Sequence, residues 1–485
     1  ICMADIRSKL KSKYSQRNKY ANFGSALRSI DIKGFRGIED ITLSLDFPVT
    51  AISGLNGAGK STLGQLAICA YKKPVTAQDY KRLYIKDFFP VSKADPSPFK
   101  MDSSVIYKYE TNDPNRTQDV TVSRIKSSWS GYKRQPERHC YYIGFTVYIP
   151  KVERRDLSVY GGRDFDLTVR RNVDQEIISR MAKIIGHPYD DVAFQGISHR
   201  KRETEIGMVE RLGYSYSENN MGFGEGRVLY TVDMLETSPE QSLFVLEEPE
   251  TSLHESAQYE FTKYLMEVCE RRKHQIILST HSSVILNALP PEARKLLIRD
   301  ETGVDIKDGI STTHIRSILS DGHFKGLHVC VEDHFAKVLL SQVIRLKRRD
   351  ILKSIQITDV GDKTAVRKAV EILSKSGLNA IAVRDADVGE DPRGNLFSFP
   401  GNRPPEVEVY QHAAVKEFLQ QEYGIDFDWL IQRKGVEDHH LYTKTISEEV
   451  ECEEEVVRIL AIKKYIDVLG DQFDSLVDKI VEKIV

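Results

Sequence analysis

Cysteine is scarce in this chain and follows no metal-binding pattern. The 485 residues contain six cysteines, and none of them stands in a C-x-x-C or C-x-x-C-H spacing. This scatter argues against a structural zinc site and against a disulfide framework. We therefore expect a protein of a reducing compartment.

Long apolar runs and an excess of one charge are missing as well. No apolar run approaches the roughly 20 residues that a membrane-spanning helix needs, and the first residues lack the apolar core of a signal peptide. We expect a soluble, cytoplasmic protein with no membrane partner. Since 69 basic residues face 71 acidic ones, overall charge neither requires nor excludes a nucleic-acid partner. The length favours about two or three domains.

A glycine-rich loop reads GLNGAGKS at residues 54–61. The apolar run VTAIS precedes it and the helical pattern TLGQLAICAYKK follows, so the loop joins a buried strand to a helix. Its glycines let backbone amides curl around phosphate oxygens, Lys60 adds a positive charge, and Ser61 offers a hydroxyl to Mg²⁺. The motif predicts an ATP site formed by Gly54, Asn56, Gly57, Gly59, Lys60, Ser61 and Thr62.

Two later apolar strands end in polar residues that suit the same site. FVLEEPE at residues 244–250 places Glu247 where it can hold Mg²⁺ and Glu248 where it can activate the attacking water. QIILSTHSS at residues 275–283 repeats this design and ends its strand in Thr280 and His281. The position of His281 after a third buried strand predicts that it senses the terminal phosphate.

These motifs resemble those of the ABC-type ATPases of DNA repair and chromosome maintenance. The resemblance implies a signature loop that completes the nucleotide site of a partner subunit. Its best match is MGFGEG at residues 221–226, with Gly222, Gly224 and Glu225 as candidate nucleotide contacts, although Gly222 stands where serine is common. The resemblance also implies that two subunits enclose two nucleotides, so we expect a dimer or a larger homo-oligomer.

The regions around these motifs predict an ATPase domain at residues 25–322. Alternating segments within residues 103–150 predict antiparallel strands of an inserted lobe, and residues 172–186 predict a helix. Basic and aromatic residues mix between residues 124 and 155, which fits either a nucleic-acid surface or a solvated strand face. Residues 1–24 predict a basic tail that is a solvated short helix or a frayed end, with an arm that binds nucleic acid or a partner as the alternative.

Downstream, strands alternate with predicted helices at residues 334–347 and 364–374, which indicates a small parallel sheet. Asp385 and Asp387 share one strand face, and Glu332 ends a neighbouring strand, so the three carboxylates can converge on one cation. Hard carboxylates favour Mg²⁺ or Mn²⁺, and such clusters drive phosphodiester cleavage. The alternative is that the aspartates cap a helix.

A strand-ending glutamate, GDK at residues 361–363 and then D-x-D are together similar to the TOPRIM domain of topoisomerases, primases and certain nucleases. The resemblance implies a further acidic residue, for which Glu406 and Glu408 are both candidates. VED at residues 331–333 stands where V-E-G is commoner, which adds a negative charge beside the metal pocket. We expect a TOPRIM-like domain at residues 325–435. A helical segment at residues 436–485 carries an apolar stripe for packing or self-association.

An ABC-type ATPase followed by TOPRIM resembles the OLD family of ATP-dependent nucleases, over roughly residues 26–420. The implied fold class is α/β: a P-loop ATPase with an antiparallel β lobe, a small parallel sheet and a C-terminal helix. The resemblance implies an ATP-controlled endonuclease that uses Mg²⁺ or Mn²⁺ on DNA in anti-phage defence. Two alternatives stay open: an ATPase scaffold that holds a separate effector protein, and a DNA-repair clamp that does not cut.

Overall fold

The computed structural model describes residues 3–77, 80–126, 128–148, 166–199, 202–301 and 303–484. The chain separates into two compact units, Ile1–Thr312 and Thr313–Val485. Both units combine strands with helices, which is the expected α/β class. None of the helices in these ranges has both the length and the apolar character needed to cross a membrane.

The first unit begins with two helices and then mixes strands with helices. In chain order its elements are α1 (Met3–Lys13), α2 (Lys19–Phe23), β1 (Leu27–Phe35), β2 (Ile38–Ser44), β3 (Val49–Gly54), α3 (Lys60–Ile68), α4 (Ile85–Phe88), β4 (Phe99–Glu110), β5 (Thr117–Ile125), β6 (Ser128–Ser130), β7 (Cys140–Ile143), β8 (Asp166–Asn172), α5 (Gln175–Ile185), β9 (Asp191–His199), β10 (Arg202–Arg211), β11 (Tyr214–Ser217), α6 (Phe223–Thr237), β12 (Leu243–Glu247), α7 (Glu255–Arg272), β13 (Gln275–Ser279), α8 (Ser283–Ala288), β14 (Arg294–Arg299) and β15 (Val304–Asp308).

A six-stranded sheet in the order β15-β14-β3-β13-β12-β7 forms the centre of the first unit. Its strands run parallel except β15, which pairs antiparallel with β14. All residues of β3 and β13 are buried, as their continuous apolar sequences predict for strands covered on both faces. Because β3, β13 and β12 are neighbours and parallel, the motifs that follow them meet at one edge of the sheet.

Two antiparallel sheets, in the orders β2-β1-β4-β5-β6 and β11-β10-β9-β8, complete the unit. The antiparallel prediction for residues 103–150 is confirmed for β4, β5 and β6. It is wrong for Cys140–Ile143, since β7 pairs in parallel with β12 at the edge of the central sheet. There Tyr141 stacks on Phe244 with ring centroids 5.1 Å apart. A strand of four residues shows too little alternation to reveal which sheet it joins.

The block of mixed basic and aromatic residues is divided between the core and the surface where it is described. Trp129 stacks on the buried ring of Phe35 with centroids 5.5 Å apart, and Arg138 is buried. Lys151 and Arg154 of this block lie outside the described residues. Lys126, Lys133 and Arg134 are exposed, so the described part of the block contains both core contacts and exposed positive charge.

The described part of the N-terminal segment, residues 3–24, forms two helices, of which α1 lies against α7. Ile6 and Leu10 are fully buried, and their spacing of four residues puts them on one helix face. Lys13 on the same helix pairs with Glu270 of α7. The segment thus combines basic residues with a short apolar stripe, and this stripe lies buried where α1 contacts α7.

The second unit contains a parallel sheet and many helices. In chain order its elements are α9 (Thr312–Leu319), which starts at the last residue of the first unit, β16 (Leu327–Val331), α10 (His334–Lys347), β17 (Ile355–Asp359), α11 (Lys363–Lys375), β18 (Ala380–Arg384), β19 (Leu396–Ser398), α12 (Pro405–Tyr410), α13 (Ala413–Tyr423), α14 (Phe427–Lys434), α15 (Tyr442–Val450), α16 (Glu454–Leu469) and α17 (Asp474–Ile484).

The four strands of this unit lie parallel in the order β17-β16-β18-β19. The helices predicted at residues 334–347 and 364–374 are confirmed as α10 and α11. Since β16 lies between β17 and β18, the residues that follow these three strands gather at one edge of the sheet.

The C-terminal segment forms three helices, α15, α16 and α17, and belongs to the core of the second unit. Its apolar stripe packs in one cluster with Leu327, Val329 and Val331 of β16, and the buried members of the stripe are Phe473, Leu476, Val477, Ile480 and Ile484. Of the two roles considered for the stripe, the structure shows packing.

Candidate nucleotide site and carboxylate pocket

The glycine-rich loop connects β3 to α3 and uses backbone conformations that favour glycine. Gly57 and Gly59 have φ of +77° and +113°, in the region that side chains with a Cβ rarely adopt. At Gly54, with φ of +150°, a Cβ would lie 2.6 Å from the backbone oxygen of Leu297 on the adjacent strand. These positions require glycine, and the loop therefore keeps the bare backbone that phosphate binding needs.

Lys60 begins α3 and is buried, with 6% of its surface exposed. Its Nζ donates to the carbonyl oxygens of Gly54 at 2.9 Å and Leu55 at 3.1 Å. Burial lowers the pKa of Lys60, while Glu248 and Glu250 oppose this shift. The loop thus holds a desolvated ammonium group whose charge is available to an anion.

A cavity of about 500 Å³ opens beside this loop. Its lining combines residues of the loop and of the start of α3, Glu248 directly after β12, Arg36 in the turn between β1 and β2, and Arg299 at the end of β14. The full set is Arg36, Asn56, Gly57, Gly59, Lys60, Ser61, Thr62, Glu248 and Arg299. Arg299 Nη2 donates to the carbonyl oxygen of Arg36 at 2.9 Å, so the two arginines are adjacent. A cavity of this size with three cations and loop amides suits a nucleoside polyphosphate.

The two glutamates that end β12 point to different surroundings. Glu247 Oε1 is buried without a hydrogen-bond partner among the described residues, and its carboxylate raises the pKa of Tyr142 in addition to the effect of burial. Glu248 has φ of +42°, and its amide donates to the carbonyl oxygen of Ser279 at 3.1 Å. This left-handed turn brings the Glu248 carboxylate to the nucleotide cavity.

Glu250 fixes the backbone of the predicted sensor histidine. Its Oε1 accepts hydrogen bonds from Thr280 Oγ1 and from the amide of His281, both at 2.7 Å. Burial raises the pKa of Glu250, and burial together with Lys60 lowers the pKa of His281, against the opposing effect of Glu248. The histidine side chain is therefore biased towards the neutral form and is held in place through its own main chain.

In the second unit, three of the predicted carboxylates gather at the edge of the parallel sheet. Glu332 follows β16, and its Oε1 accepts a hydrogen bond from the amide of Asp385, which follows β18, at 3.2 Å. Both of these residues and Asp387 line a cavity of about 640 Å³. The structure thus brings together the three residues predicted for this site.

Glu406, and not Glu408, joins these carboxylates. Glu406 lines the cavity and is 3% exposed. The Oε1 of Glu408 instead accepts hydrogen bonds from the amides of Asn402 at 3.0 Å and Arg403 at 3.1 Å. Glu408 therefore stabilises the turn before α12, whereas Glu406, two residues earlier, faces the pocket.

Asp333 also lies at the cavity, where its carboxylate has two functions. Its Oδ1 accepts a hydrogen bond from the amide of Ala336 at 2.8 Å and so caps α10. Its Oδ2 lies 3.5 Å from His440 Nδ1, and Glu406 Oε1 lies 3.1 Å from the same nitrogen. The residue that stands in place of the commoner glycine thus adds a carboxylate to the pocket.

Two buried oxygens show that the pocket suits a cation. Asp385 Oδ1 and Glu406 Oε2 have no hydrogen-bond partner among the described residues. Burial and Glu332 raise the pKa of Asp385 to about 8, and burial and Asp333 raise the pKa of Glu406 to about 8. A divalent cation would supply the missing positive charge, so the carboxylate set fits Mg²⁺ or Mn²⁺.

Comparisons with known proteins find two ATPase-type family models and a nuclease relative. One family model, described as an AAA domain, matches residues 29–134, and another, described as an AAA ATPase domain, matches residues 169–286. A curated relative, the OLD nuclease of Thermus scotoductus, is 22% identical over 443 residues, covering 75% of this chain and 82% of that protein. This chain is an ATPase related to the OLD nuclease.

Among solved structures, the chain is similar to SMC head domains. The SMC head domain from Thermotoga maritima has a TM-score of 0.34 and 15% identity, covering 58% of this chain and 98% of that one. The Smc head domain with an extended coiled coil bound to the C-terminal domain of ScpA, from Pyrococcus furiosus, has a TM-score of 0.35 and 12% identity, covering 61% of this chain and 99% of that one.

The predicted signature loop of this OLD-related ATPase leads into α6, with Gly222 at the N-terminal cap. The carboxylate of Glu225 accepts hydrogen bonds from Tyr189 Oη at 2.7 Å and Tyr216 Oη at 3.0 Å. Gly222, Gly224 and Glu225 are not among the residues that line the nucleotide cavity. Within one chain, Glu225 therefore anchors the antiparallel sheet that contains β11.

Several site residues of this OLD-related ATPase were not identified from the sequence. Arg36, Arg299 and Glu250 in the first unit carry no motif of their own, although Glu250 is the last residue of the FVLEEPE segment. In the second unit, His439 and His440 reach the pocket from a short turn before α15. The adjacent histidines were a visible signal, but nothing in the surrounding sequence connects them with the distant strand ends.

Proposed function

We propose that the protein is an ATP-controlled nuclease that cuts DNA with the help of divalent metal ions. The observation that carries this proposal is the carboxylate pocket, in which Asp385 Oδ1 and Glu406 Oε2 are buried beside Glu332 and have no hydrogen-bond partner in the described part of the chain. A fold does not retain such a concentration of unpaired carboxylates for stability, because like charges in a buried site oppose folding. The OLD relationship supports phosphodiester cleavage as the use of this pocket.

In the nucleotide site, each predicted residue takes a role that follows from its position. Lys60 and the loop amides hold the β- and γ-phosphates, and Ser61 and Glu247 are the residues that would hold Mg²⁺. Glu248 orients and deprotonates the attacking water, and the neutral His281 donates a hydrogen bond to the γ-phosphate. Loss of that phosphate removes the contact, so the ends of β12 and β13 can report hydrolysis to the rest of the chain.

In the carboxylate pocket, Glu332, Asp385 and Asp387 are the residues that would hold Mg²⁺ or Mn²⁺. The metal would stabilise negative charge on the phosphate under attack and increase the acidity of a water nucleophile. The residues of the chain itself bind and orient the substrate: Lys363 lines the same cavity and is exposed, and its positive charge attracts a phosphate next to the scissile bond.

We also propose that the working form is a homodimer or a larger oligomer. The signature loop does not line the nucleotide cavity of its own chain, and Gly222 at its start is exposed. A second subunit that presents this loop would complete the site, as the ABC resemblance implies. ATP binding would then assemble the subunits, and hydrolysis would release them, so the nucleotide state controls DNA access to the pocket.

The test is metal-dependent nicking of supercoiled plasmid, with and without ATP, by the wild type and by Asp385→Asn and Lys60→Ala. Asp428→Asn is the matched control, because Asp428 is exposed and pairs with Lys416. We expect Asp385→Asn alone to abolish nicking in every nucleotide state, and Lys60→Ala to abolish its ATP dependence. Equal nicking by the wild type and Asp385→Asn would assign the activity to a contaminant and refute the proposal.

A second candidate is an ATPase scaffold that holds a separate effector protein, as the resemblance to anti-phage systems allows. Asp333 favours this candidate. It stands where the resembling domains commonly have glycine, and its carboxylate, which approaches His440, adds a negative charge to the pocket that would alter metal binding for cleavage. This candidate predicts no nicking by the wild type under any condition. It further predicts that the product of a neighbouring gene co-purifies with the wild type and that ATP hydrolysis releases it, whereas Glu248→Gln retains it.

A further inference from the structure

Two histidines and Glu406, which also borders the other carboxylates, form a cluster of nitrogen and oxygen donors in the carboxylate pocket. One ligand-type atom from each of Glu406, His439 and His440 lies within 4.8 Å of the other two. His440 Nδ1 is 3.1 Å from Glu406 Oε1, and the two imidazole rings have centroids 4.1 Å apart. We call these three residues the histidine cluster.

The fold holds this cluster in place from two directions. Glu406 stands in the first turn of α12, directly after two prolines that fix the start of the helix. His439 and His440 stand in a short 3₁₀ turn, where Asp438 accepts a hydrogen bond from the amide of His440 at 3.0 Å. That turn leads into α15, whose Tyr442 belongs to the unit's core. Both halves of the cluster are therefore anchored by packed helices.

An ion pair between His440 and Glu406 is the simplest explanation of this contact, but it satisfies only one oxygen of the glutamate. The other oxygen, Oε2, is buried and has no hydrogen-bond partner among the described residues. Arg458 also lies at the cavity, but its guanidinium pairs with Glu454 and Glu455 on its own helix. The ion pair therefore leaves a buried carboxylate oxygen directed into an open cavity.

We propose that Glu406, His439 and His440 bind a transition-metal ion of the Zn²⁺ or Co²⁺ type, beside the ion that Glu332, Asp385 and Asp387 would hold. Imidazole nitrogen is a poor ligand for Mg²⁺ and a good one for these ions. Three protein ligands leave a coordination position for water or a phosphate oxygen, which is typical of catalytic sites. Asp333 Oδ2, 3.5 Å from His440 Nδ1, can orient the imidazole or complete the set.

This inference deepens the proposed function, because it names a second metal for the same pocket. The nuclease proposal requires only that Glu332, Asp385 and Asp387 hold an oxygen-preferring ion. The histidine cluster would add an ion of a different chemical class, so the pocket would hold two unlike metals. Metal binding by the histidines can be measured without any cleavage assay, and each proposal can therefore fail independently of the other.

The test is a titration of the metal-free full-length protein with Co²⁺ alone, followed in the visible spectrum, in which nitrogen ligation of cobalt produces characteristic d–d bands. Zn²⁺ is then added to displace the cobalt. The variants are His439→Gln, His440→Gln and Glu406→Gln, each close in size to the residue it replaces. His323→Gln is the matched control, because His323 is exposed on the same unit and lies outside the cluster.

We expect the wild type and His323→Gln to bind one equivalent of Co²⁺ with the same bands, and Zn²⁺ to remove them. Each cluster variant should weaken the affinity by at least about tenfold, since even the loss of an outer-shell partner has an effect of that size. Excess Mg²⁺ should not displace the cobalt. Bands of unchanged strength in both histidine variants, or no bands in the wild type, would overturn the proposal.

Two further measurements guard against misinterpretation. The thermal unfolding midpoint of each variant, measured without metal, shows whether the substitution has disrupted the fold, and Asp387→Asn tests whether cobalt occupies the carboxylates instead. Cobalt bands that vanish in Asp387→Asn but persist in His439→Gln and His440→Gln would place the metal at the carboxylates and refute the histidine site. Plasmid nicking that persists in a cobalt-free histidine variant would refute a role in cleavage while leaving the binding site established.

Discussion

His281 Nε2 lies 3.7 Å from Glu248 Oε1, so the ends of the neighbouring strands β12 and β13 bring an imidazole against the carboxylate that borders the nucleotide cavity. Burial and Lys60 lower the pKa of this histidine, which favours its neutral form. A neutral imidazole has one donor nitrogen and one acceptor nitrogen. It can therefore donate a hydrogen bond to the phosphate without adding a second positive charge beside Lys60. The pair therefore joins the site of water activation to a residue that can detect the γ-phosphate.

Glu248→Gln should retain ATP binding and lose hydrolysis. Gln keeps the size of the side chain and the same cost of the left-handed backbone at this position, but it cannot remove a proton from water. A positioned general base contributes roughly 10²- to 10⁴-fold, and we expect kcat for ATP to fall by about that factor. Phosphate release and nucleotide binding measured on the same preparation check this, and a variant with half of the wild-type kcat would contradict the role of Glu248.

Glu250 should tolerate Gln far better than Ala. In the wild type its Oε1 accepts two hydrogen bonds, from Thr280 and from the amide of His281. Gln can still accept both, and it removes a buried charge whose pKa is raised by burial. Ala leaves two buried donors unpaired, which costs about 1–3 kcal/mol for each donor that water does not reach. We expect a lower unfolding midpoint and a reduced kcat for Glu250→Ala only, and equal losses in both variants would show that the charge itself is required.

The sequence predicts those site residues that directly follow a buried strand in the chain. The loop that ends in Lys60 and Ser61, and the strands that end in Glu248 and Glu332, could be identified because a buried strand and its polar terminus are adjacent in sequence. His439 and His440 could not be assigned to the pocket, since they reach it only when the C-terminal helices pack onto β16. That packing depends on tertiary contacts that no local pattern encodes.

The signature loop allows a matched pair of substitutions. A Cβ at Gly222 meets no atom within 4 Å, and φ there is −62°, so Gly222→Ser should fold like the wild type. A Cβ at Gly226 would lie 2.4 Å from the ring of Tyr148, so Gly226→Ala should destabilise the protein by about 1–3 kcal/mol.

If the loop binds the γ-phosphate across a dimer, the added hydroxyl of Gly222→Ser should lower the KM for ATP and increase the ATP-dependent dimer fraction in light scattering. A Gly222→Ser protein with unchanged KM and unchanged mass in ATP would contradict the contact in trans. The Gly226→Ala protein serves as the structural control, because its defect should appear in thermal unfolding without nucleotide.

Stability should fall in mild acid through His274. This side chain is fully buried, its Nδ1 accepts from the amide of Ser242 at 3.1 Å, and its Nε2 donates to the carbonyl oxygen of Leu235 at 3.0 Å. The bond from Ser242 requires an unprotonated Nδ1, so protonation of the ring breaks it, and burial lowers the pKa of His274 to about 4. The unfolded chain therefore binds more protons than the folded one between pH 6.5 and about 4, so the stabilisation is complete above this window and is lost as the pH falls.

For His274 the expected loss between about pH 7.5 and pH 5 is about 2 kcal/mol. His274→Gln keeps an acceptor and a donor but does not titrate, so its unfolding midpoint should depend less on pH than that of the wild type. The measurement is thermal unfolding at both pH values for the two proteins. Parallel pH dependences would show that another group controls acid stability.

Asp333→Asn should stabilise the metal-free protein and weaken metal binding. Asparagine caps a helix about as well as aspartate, so the bond to the amide of Ala336 is kept. The substitution removes a negative charge that raises the pKa of both Asp385 and Glu406, and hence removes repulsion that only a cation relieves. We expect a higher unfolding midpoint in a chelator and a smaller increase on adding Mn²⁺. Asp426→Asn, which replaces the cap of α14, controls for the cap itself, and an equal gain in that variant would contradict the electrostatic explanation.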